Sequence, residues 1–247
     1  MSKQDDDKLA ARLRRKQRAG AGDAQDEPGN VDSDVGERTA KTVKTDSGGK
    51  TAGGGYTTLR NQFLIATPSL DGGIFKSSVT YLCEHDENGA MGIIVNRPSN
   101  LVVQDILADV CDEQPSEELA TGNAAPVLVG GPVGLERGFV LHQLGTHEDP
   151  ERWASSLRVS DDIVLTGSKD ILLALSEGRG PEHYLVVLGY AGWGAGQLEE
   201  ELASNAWLTS PANADILFST PYHKRAAAAA KLLGIDLASL ASHGGTA

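Results

Sequence analysis

The chain has little cysteine and no long apolar segment. Its 247 residues include only Cys83 and Cys111, which are too few for a disulfide framework in a chain of this length. The chain contains no run of 18 apolar residues, the length needed to span a bilayer. The acidic start at Asp5 is unlike a secretory signal. These absences predict reduced thiols, a cytoplasmic location and no membrane partner.

The motifs of several well-known chemistries are also missing. The histidines at 85, 142, 147, 183, 223 and 243 have no spacing typical of a zinc site. There is no Gly-x-Ser-x-Gly elbow and no P-loop lysine, and no spacing of carboxylates singles out a general acid and base. We therefore expect no catalytic residue, no metal ion and no cofactor.

Large apolar side chains are scarce in the first part of the chain. Residues 1–55 are predicted to be a disordered tail, and residues 56–247 one folded domain. The tail has 11 Lys plus Arg against 10 Asp plus Glu and the domain 11 against 24, so their net charges of +1 and −13 sum to −12. Such an acidic domain is not expected to bind DNA directly. The basic run from Arg12 to Arg18 is typical of a solvated or weakly nucleic-acid-binding arm.

The apolar patterns predict more strands than helices. Helices are expected over Val102 to Val110, from Ser168 to Gly178, over Gln197 to Asn205 and from Thr220 to Gly234. Strands are expected at 63–65, 79–83, 91–95, 127–129, 139–141, 163–165, 184–188 and Ile216 to Phe218. Several neighbouring strands have hairpin-length connections and no βαβ period is visible, so we expect an α+β fold with a mostly antiparallel sheet.

A glycine-rich segment follows the strand at Tyr184. It is predicted to be a turn before the helix at Gln197, and a strand, glycines and a helix N-terminus are the parts of an anion cradle. Against that hypothesis, Gln197 stands where the dinucleotide motif needs glycine, and three glutamates from Glu199 onward occupy the first helical turn. Tight packing of Trp193 against a glycine corner is the interpretation that we favour.

Two smaller groups of residues have chemical potential. Alternation along a strand places Cys83 and His85 on one face, where they would form a nucleophile and base if a third group oriented them. A buried cysteine and a hydrogen-bonded histidine are the commoner arrangement. Arg97, in Asn96-Arg97-Pro98, offers a planar fork to an anion, although a structural arginine that caps carbonyls or pairs with an acid is again commoner.

The chain resembles the bacterial YqgE/AlgH family through motifs that occur in the family's order. They are Phe63-Leu-Ile-Ala66, Cys83-Glu-His85, Gly89 to Pro98, Gly130-Gly-Pro-Val133, Arg137 to His142, Gly189 to Glu199 and Asn205 to Leu208. The resemblance implies strands wrapped into a pseudo-barrel and a regulatory role without an established enzymatic activity. The chain departs from the family at Ala226, where a tryptophan is usual nearby, and at the ending after His243.

These observations lead to a hypothesis of a non-enzymatic regulatory or interaction protein, in which an indirect role in transcription is implied by the resemblance alone. Its partner would be a protein or a small ligand. A small-molecule-binding protein or enzyme that uses Cys83, His85 and the glycine turn is the alternative. The candidate binding residues, expected to line one groove, are Glu84, His85, Asn96, Arg97, Gly130, Gly131, Pro132, Trp193, Gly196, Gln197 and Glu199.

Overall fold

The structure, a computed structural model, describes residues 57–110, 125–145 and 148–237. The predicted tail therefore lies outside the described residues, as do Cys111, His147 and His243. Within these ranges the strands are Gln62–Ala66 (β1), Val79–Asp86 (β2), Gly89–Ile94 (β3), Pro98–Val102 (β4), Pro126–Val129 (β5), Val133–Gln143 (β6), Ser156–Arg158 (β7), Ile163–Thr166 (β8), Tyr184–Gly194 (β9) and Trp207–Pro211 (β10).

Short helices flank the strands. The α-helices are Val103–Val110 (α1), Lys169–Ser176 (α2), Gln197–Ala203 (α3) and Arg225–Lys231 (α4). Two single turns of 3₁₀-helix, Gly73–Phe75 and Tyr222–Lys224, and one turn of π-helix, Asp215–Ser219, complete the described elements.

The strands form one curled sheet. Neighbouring strands follow the order β10-β1-β2-β3-β9-β6-β8-β7, and every pairing on this path is antiparallel. Strand β5 lies beside β9 in parallel and pairs with β4 on its other side. The expected strand-rich α+β fold is confirmed, and the sheet forms a half-barrel with flanking helices.

Both faces of the central strands are buried. Phe63 and Ile65 of β1 pack into the central core between the curled strands and α4, whereas Leu64 points into a second core beneath α3. A third core lies under α1 and α2. Burial on two faces explains why this strand is a continuous apolar run instead of an alternating one.

One predicted strand is wrong. Ile216 to Phe218 lies in the π-helical turn, where the Leu217 amide donates to the Asn213 carbonyl (3.1 Å) and the Ile216 amide donates to Oδ1 of Asn213 (3.2 Å). Both Ile216 and Leu217 are buried in the central core, which a strand with alternating faces would not achieve. Three strands, β4, β7 and β10, have no counterpart among the predicted strands.

Glycines allow the close approach of β5 to β9. A Cβ atom on Gly130 would lie 2.3 Å from the Gly189 carbonyl oxygen and 2.5 Å from Cγ1 of Val187, and one on Gly131 would lie 2.1 Å from the Tyr190 carbonyl carbon. Since the obstructing atoms include backbone, a side chain cannot be accommodated by rotation. These two predicted groove residues are thus explained by backbone packing.

We expect Gly130→Ala to lower the free energy of unfolding by about 1–3 kcal/mol, because the added methyl group overpacks the β5–β9 contact. Gly72→Ala is the matched control, because a Cβ atom there meets nothing within 4 Å and its φ of −127° suits alanine. The control should stay within about 0.5 kcal/mol of the wild type. Urea unfolding of both variants measures the difference, and equal stabilities would contradict this account of the contact.

Candidate functional site

His85 is fixed at the end of β2. Its Nδ1 accepts a hydrogen bond from the Leu59 amide (2.8 Å), so Nε2 carries the proton and donates to Oε1 of Glu199 (2.9 Å). The imidazole is 2% exposed, whereas the Glu199 side chain is 42% exposed. The bond to Glu199 joins the end of β2 to the first turn of α3.

Glu201 anchors α3 to two tryptophans. Its Oε2 accepts hydrogen bonds from the indole N–H groups of Trp193 (2.9 Å) and Trp207 (2.7 Å), and its Oε1 accepts one from Nε2 of Gln197 (2.9 Å). The indole rings meet edge to face at 6.0 Å. We call this group, made of His85, Trp193, Gln197, Glu199, Glu201 and Trp207, the α3 corner.

The start of α3 is held by a further bond from the sheet. Oε1 of Gln197 accepts from the Gly194 amide (3.0 Å), so this one side chain connects β9 to Glu201. Gly196 precedes the helix in the left-handed region, with a φ of +77° that favours glycine. The polar groups of the α3 corner therefore hold one another in position, largely through these hydrogen bonds.

The predicted groove is divided between two places. His85, Trp193, Gly196, Gln197 and Glu199 come together at the α3 corner. The remaining residues, apart from Glu84, lie where β3 leads into β4 and β5 leads into β6. The structure does not bring the predicted residues together in one groove, because the β2–β3 hairpin carries His85 at one end and Asn96 at the other.

At that other end the predicted residues make structural contacts. Asn96 accepts from the Val79 amide through Oδ1 and donates to the Ser77 carbonyl through Nδ2, each at 2.9 Å. Arg97 donates from Nη2 to the Lys76 carbonyl (3.1 Å), in keeping with the carbonyl-capping interpretation. Pro132 is exposed beside the two packed glycines.

The predicted alignment of Cys83 with His85 is wrong. A β-bulge shifts the register between Leu82 and Glu84, so Cys83 is an extra residue in β2 and the alternation reverses after it. Cys83 packs in the central core, whereas His85 stands opposite Ala90 on the face of the second core. Burial raises the pKa of the Cys83 thiol, which disfavours the reactive thiolate.

The bulge also decides where Glu84 points. It stands opposite Met91, which packs against the central core, and so lies on the other face of the sheet from His85. Its side chain is exposed. Glu84 is consequently not part of the α3 corner.

The predicted glycine turn is mostly strand. β9 continues to Gly194 and pairs Gly192 with Met91 and Gly194 with Gly89 of β3, so its backbone takes part in the sheet instead of facing a ligand. Gly192 and Gly194 therefore do not form the loop of an anion cradle. Trp193 packs on glycine, as expected, but on the neighbouring strand: a Cβ atom on Gly92 would lie 3.4 Å from its indole ring.

Two residues of the α3 corner were not among the predicted site residues. From the sequence, Glu201 is notable only as negative charge in the helix, and Trp207 only as part of a family motif. The spacing of Gln197 and Glu201 by four residues was the available signal, since it places both side chains on one face of α3.

Comparisons with known proteins decide the family. A family model described as AlgH-like matches residues 63–238, which is more than half of the chain. The chain belongs to the AlgH-like family. UPF0301 proteins of Nitrosococcus oceani and Chromobacterium violaceum are 47% and 49% identical to it over 190 and 189 residues, in each case 76% of this chain and 97% of the relative.

Solved structures agree with the AlgH-like assignment. The AlgH protein of Pseudomonas aeruginosa is 42% identical, with a TM-score of 0.62 over 80% of this chain and 100% of that one. A protein of Corynebacterium diphtheriae, 20% identical, has a TM-score of 0.54 over 70% of this chain and 87% of that one, and supports the fold alone. The resemblance first drawn from the motifs is thus confirmed, and the family is one of uncharacterised proteins.

Two structural features are absent from the residues that the structure describes. Across residues 57–110, 125–145 and 148–237, no helix is both long and apolar enough to cross a bilayer. The same ranges contain no group of three or more His, Cys, Asp or Glu side chains arranged to hold a metal ion. The expected absence of a cofactor stays a prediction.

We expect Glu201→Gln to lower the free energy of unfolding by about 1–3 kcal/mol. The glutamine amide lacks the charge of the carboxylate, and its NH₂ group would face N–H donors where the carboxylate accepts hydrogen bonds. The neighbouring Glu200→Gln, at an exposed position, is the matched control and should cost less than about 0.5 kcal/mol. Urea unfolding followed by tryptophan fluorescence reports both stability and the indole environment. Equal effects of the two substitutions would show that the hydrogen bonds to Glu201 do not hold the α3 corner together.

Proposed function

We propose that this AlgH-like protein is a non-enzymatic regulatory or interaction protein that presents the α3 corner to a protein partner. The observation that carries the proposal is the mutual hydrogen bonding of Gln197 and Glu201 with Trp193 and Trp207, which fixes the surface above them. A surface that is already ordered loses little conformational entropy when a partner binds. Rigid presentation of polar groups is what a recognition surface requires.

The exposed charge indicates the kind of partner. Asp86 and Glu87 stand at the turn between β2 and β3, and Glu199 and Glu200 lie in the first turn of α3, which His85 joins to β2. A partner with complementary positive charge would be drawn to this surface. The same carboxylates oppose the approach of a phosphate backbone, so an indirect role in transcription is favoured over direct DNA binding.

The surroundings of Cys83 and His85, the candidate nucleophile and base, favour a binding role over covalent catalysis. Cys83 is enclosed in the central core, and both ring nitrogens of His85 are engaged on the opposite face of the sheet. Neither group has the free access to a substrate that nucleophilic catalysis requires. The alternative of an enzyme built on Cys83 and His85 has no geometric support.

We expect the double reversal Glu87→Lys and Glu200→Lys to reduce capture of specific partners at least about tenfold, because it replaces attraction by repulsion at two exposed positions beside the α3 corner. The test is quantitative cross-linking and mass spectrometry with the full-length chain in cells. When the same capture is carried out in lysate, rising salt should weaken capture by the wild type.

The control reverses Glu151 and Glu177, which are exposed and belong neither to the β2–β3 turn nor to α3, and its change in net charge is the same. It should capture the same proteins as the wild type. Identical capture profiles for the corner variant and the control would refute the proposed surface.

A further inference from the structure

A second, unrelated feature of the molecule is a cleft at the start of β9. Its volume is about 360 Å³, and it lies between the first residues of β9 and the segment that runs from the π-helical turn into α4. Small-molecule sites typically have volumes of about 300–1,000 Å³, so this cleft has the size for a small organic ligand.

A buried cation lines the cleft. Arg225, the first residue of α4, is only 5% exposed, and it donates from Nε to the Thr220 carbonyl (3.0 Å) and from Nη1 to the Val95 carbonyl. Within the described part of the chain, these two bonds to carbonyl groups are the side-chain contacts of the guanidinium, and no ion pair involves it. Desolvation lowers the pKa of its guanidinium to about 10, which reflects the cost of a charge buried without a counterion.

The rest of the lining suits an amphipathic ligand. Phe218 and Tyr222 supply aromatic surface, and Ser219 supplies a hydroxyl group close to Arg225 in the chain, whereas the Thr220 hydroxyl donates to the Asp215 carbonyl. Phe218 and Ser219 belong to the π-helical turn, a rare backbone form that occurs frequently at functional sites. Glu182 and His183 line the cleft from exposed positions, where solvent screens the carboxylate.

We propose that this cleft binds a small organic anion, whose carboxylate or phosphate oxygens pair with the guanidinium of Arg225 and whose apolar body packs against Phe218 and Tyr222. An arginine already held by two carbonyl groups presents its remaining donors in a fixed plane, which matches the geometry of either oxyanion. The bound anion supplies the counterion that the described residues do not. This site is separate from the α3 corner and does not depend on the function proposed there.

The test is a titration of the isotopically labelled full-length chain followed by NMR at constant ionic strength. The probes are sodium benzoate, inorganic phosphate and, as an uncharged analogue of the first, benzamide. We expect saturable shifts confined to the residues around the cleft with benzoate, phosphate or both, and none with benzamide. Saturation by benzoate alone would identify an aromatic carboxylate as the better model of the ligand, and saturation by phosphate alone a phosphate. No saturable shift with either anion, or equal binding of benzamide and benzoate, would overturn the proposal.

Variants at Ser219 test the role of charge without touching Arg225. Ser219→Glu adds a negative charge at the cleft and should weaken binding of the anion at least about tenfold, whereas the equally large but neutral Ser219→Gln should weaken it far less. Equal affinities of these two variants would contradict an electrostatic site.

Arg225→Lys keeps the charge but loses the planar fork, so it should also weaken binding. Thermal unfolding establishes whether this variant is folded. Wild-type affinity in folded Arg225→Lys would overturn the role given to Arg225, and if the variant does not fold, the Ser219 pair decides.

Discussion

The fold depends on β9, the strand with which β3, β5 and β6 all pair. β9 pairs with β6 along one side, and on its other side with β5 near its start and β3 near its end. The close contacts of Gly130 and Gly131 with the backbone of β9 make this arrangement possible. Because β9 runs from the cleft at Tyr184 to the α3 corner at Trp193, it separates the two proposed sites by roughly 30 Å, at about 3.3 Å per residue.

Much of the fold could be predicted from local pattern. The apolar run at Phe63, the β2–β3 hairpin and the helix at Val103 each have a period or turn residues that agree with their place in the structure. The errors arise where local signals are ambiguous. Three apolar residues from Ile216 fit a strand or a helical turn equally well, and glycines that usually mark a turn instead serve close strand packing in β9.

The sites were less predictable because they depend on distant parts of the chain. The bulge at Cys83 is invisible in the sequence, yet one extra residue decides which face His85 occupies. Glu201 meets Trp193 and Trp207 only after α3 folds back on the sheet. Arg225 lies beside a run of alanines and matches no motif, so only the path of the backbone around the cleft indicates its importance.

Because strands at both ends of the molecule pair with β9, we expect the two ends to form one cooperative unit. Native-state hydrogen exchange at increasing urea concentration tests it most directly, by comparing the amides of residues 186–188 with those of residues 191–193. Both sets should exchange through the same global opening, with the same free energy and urea dependence. Exchange of residues 191–193 through a separate opening of lower free energy, while residues 186–188 stay protected, would contradict it.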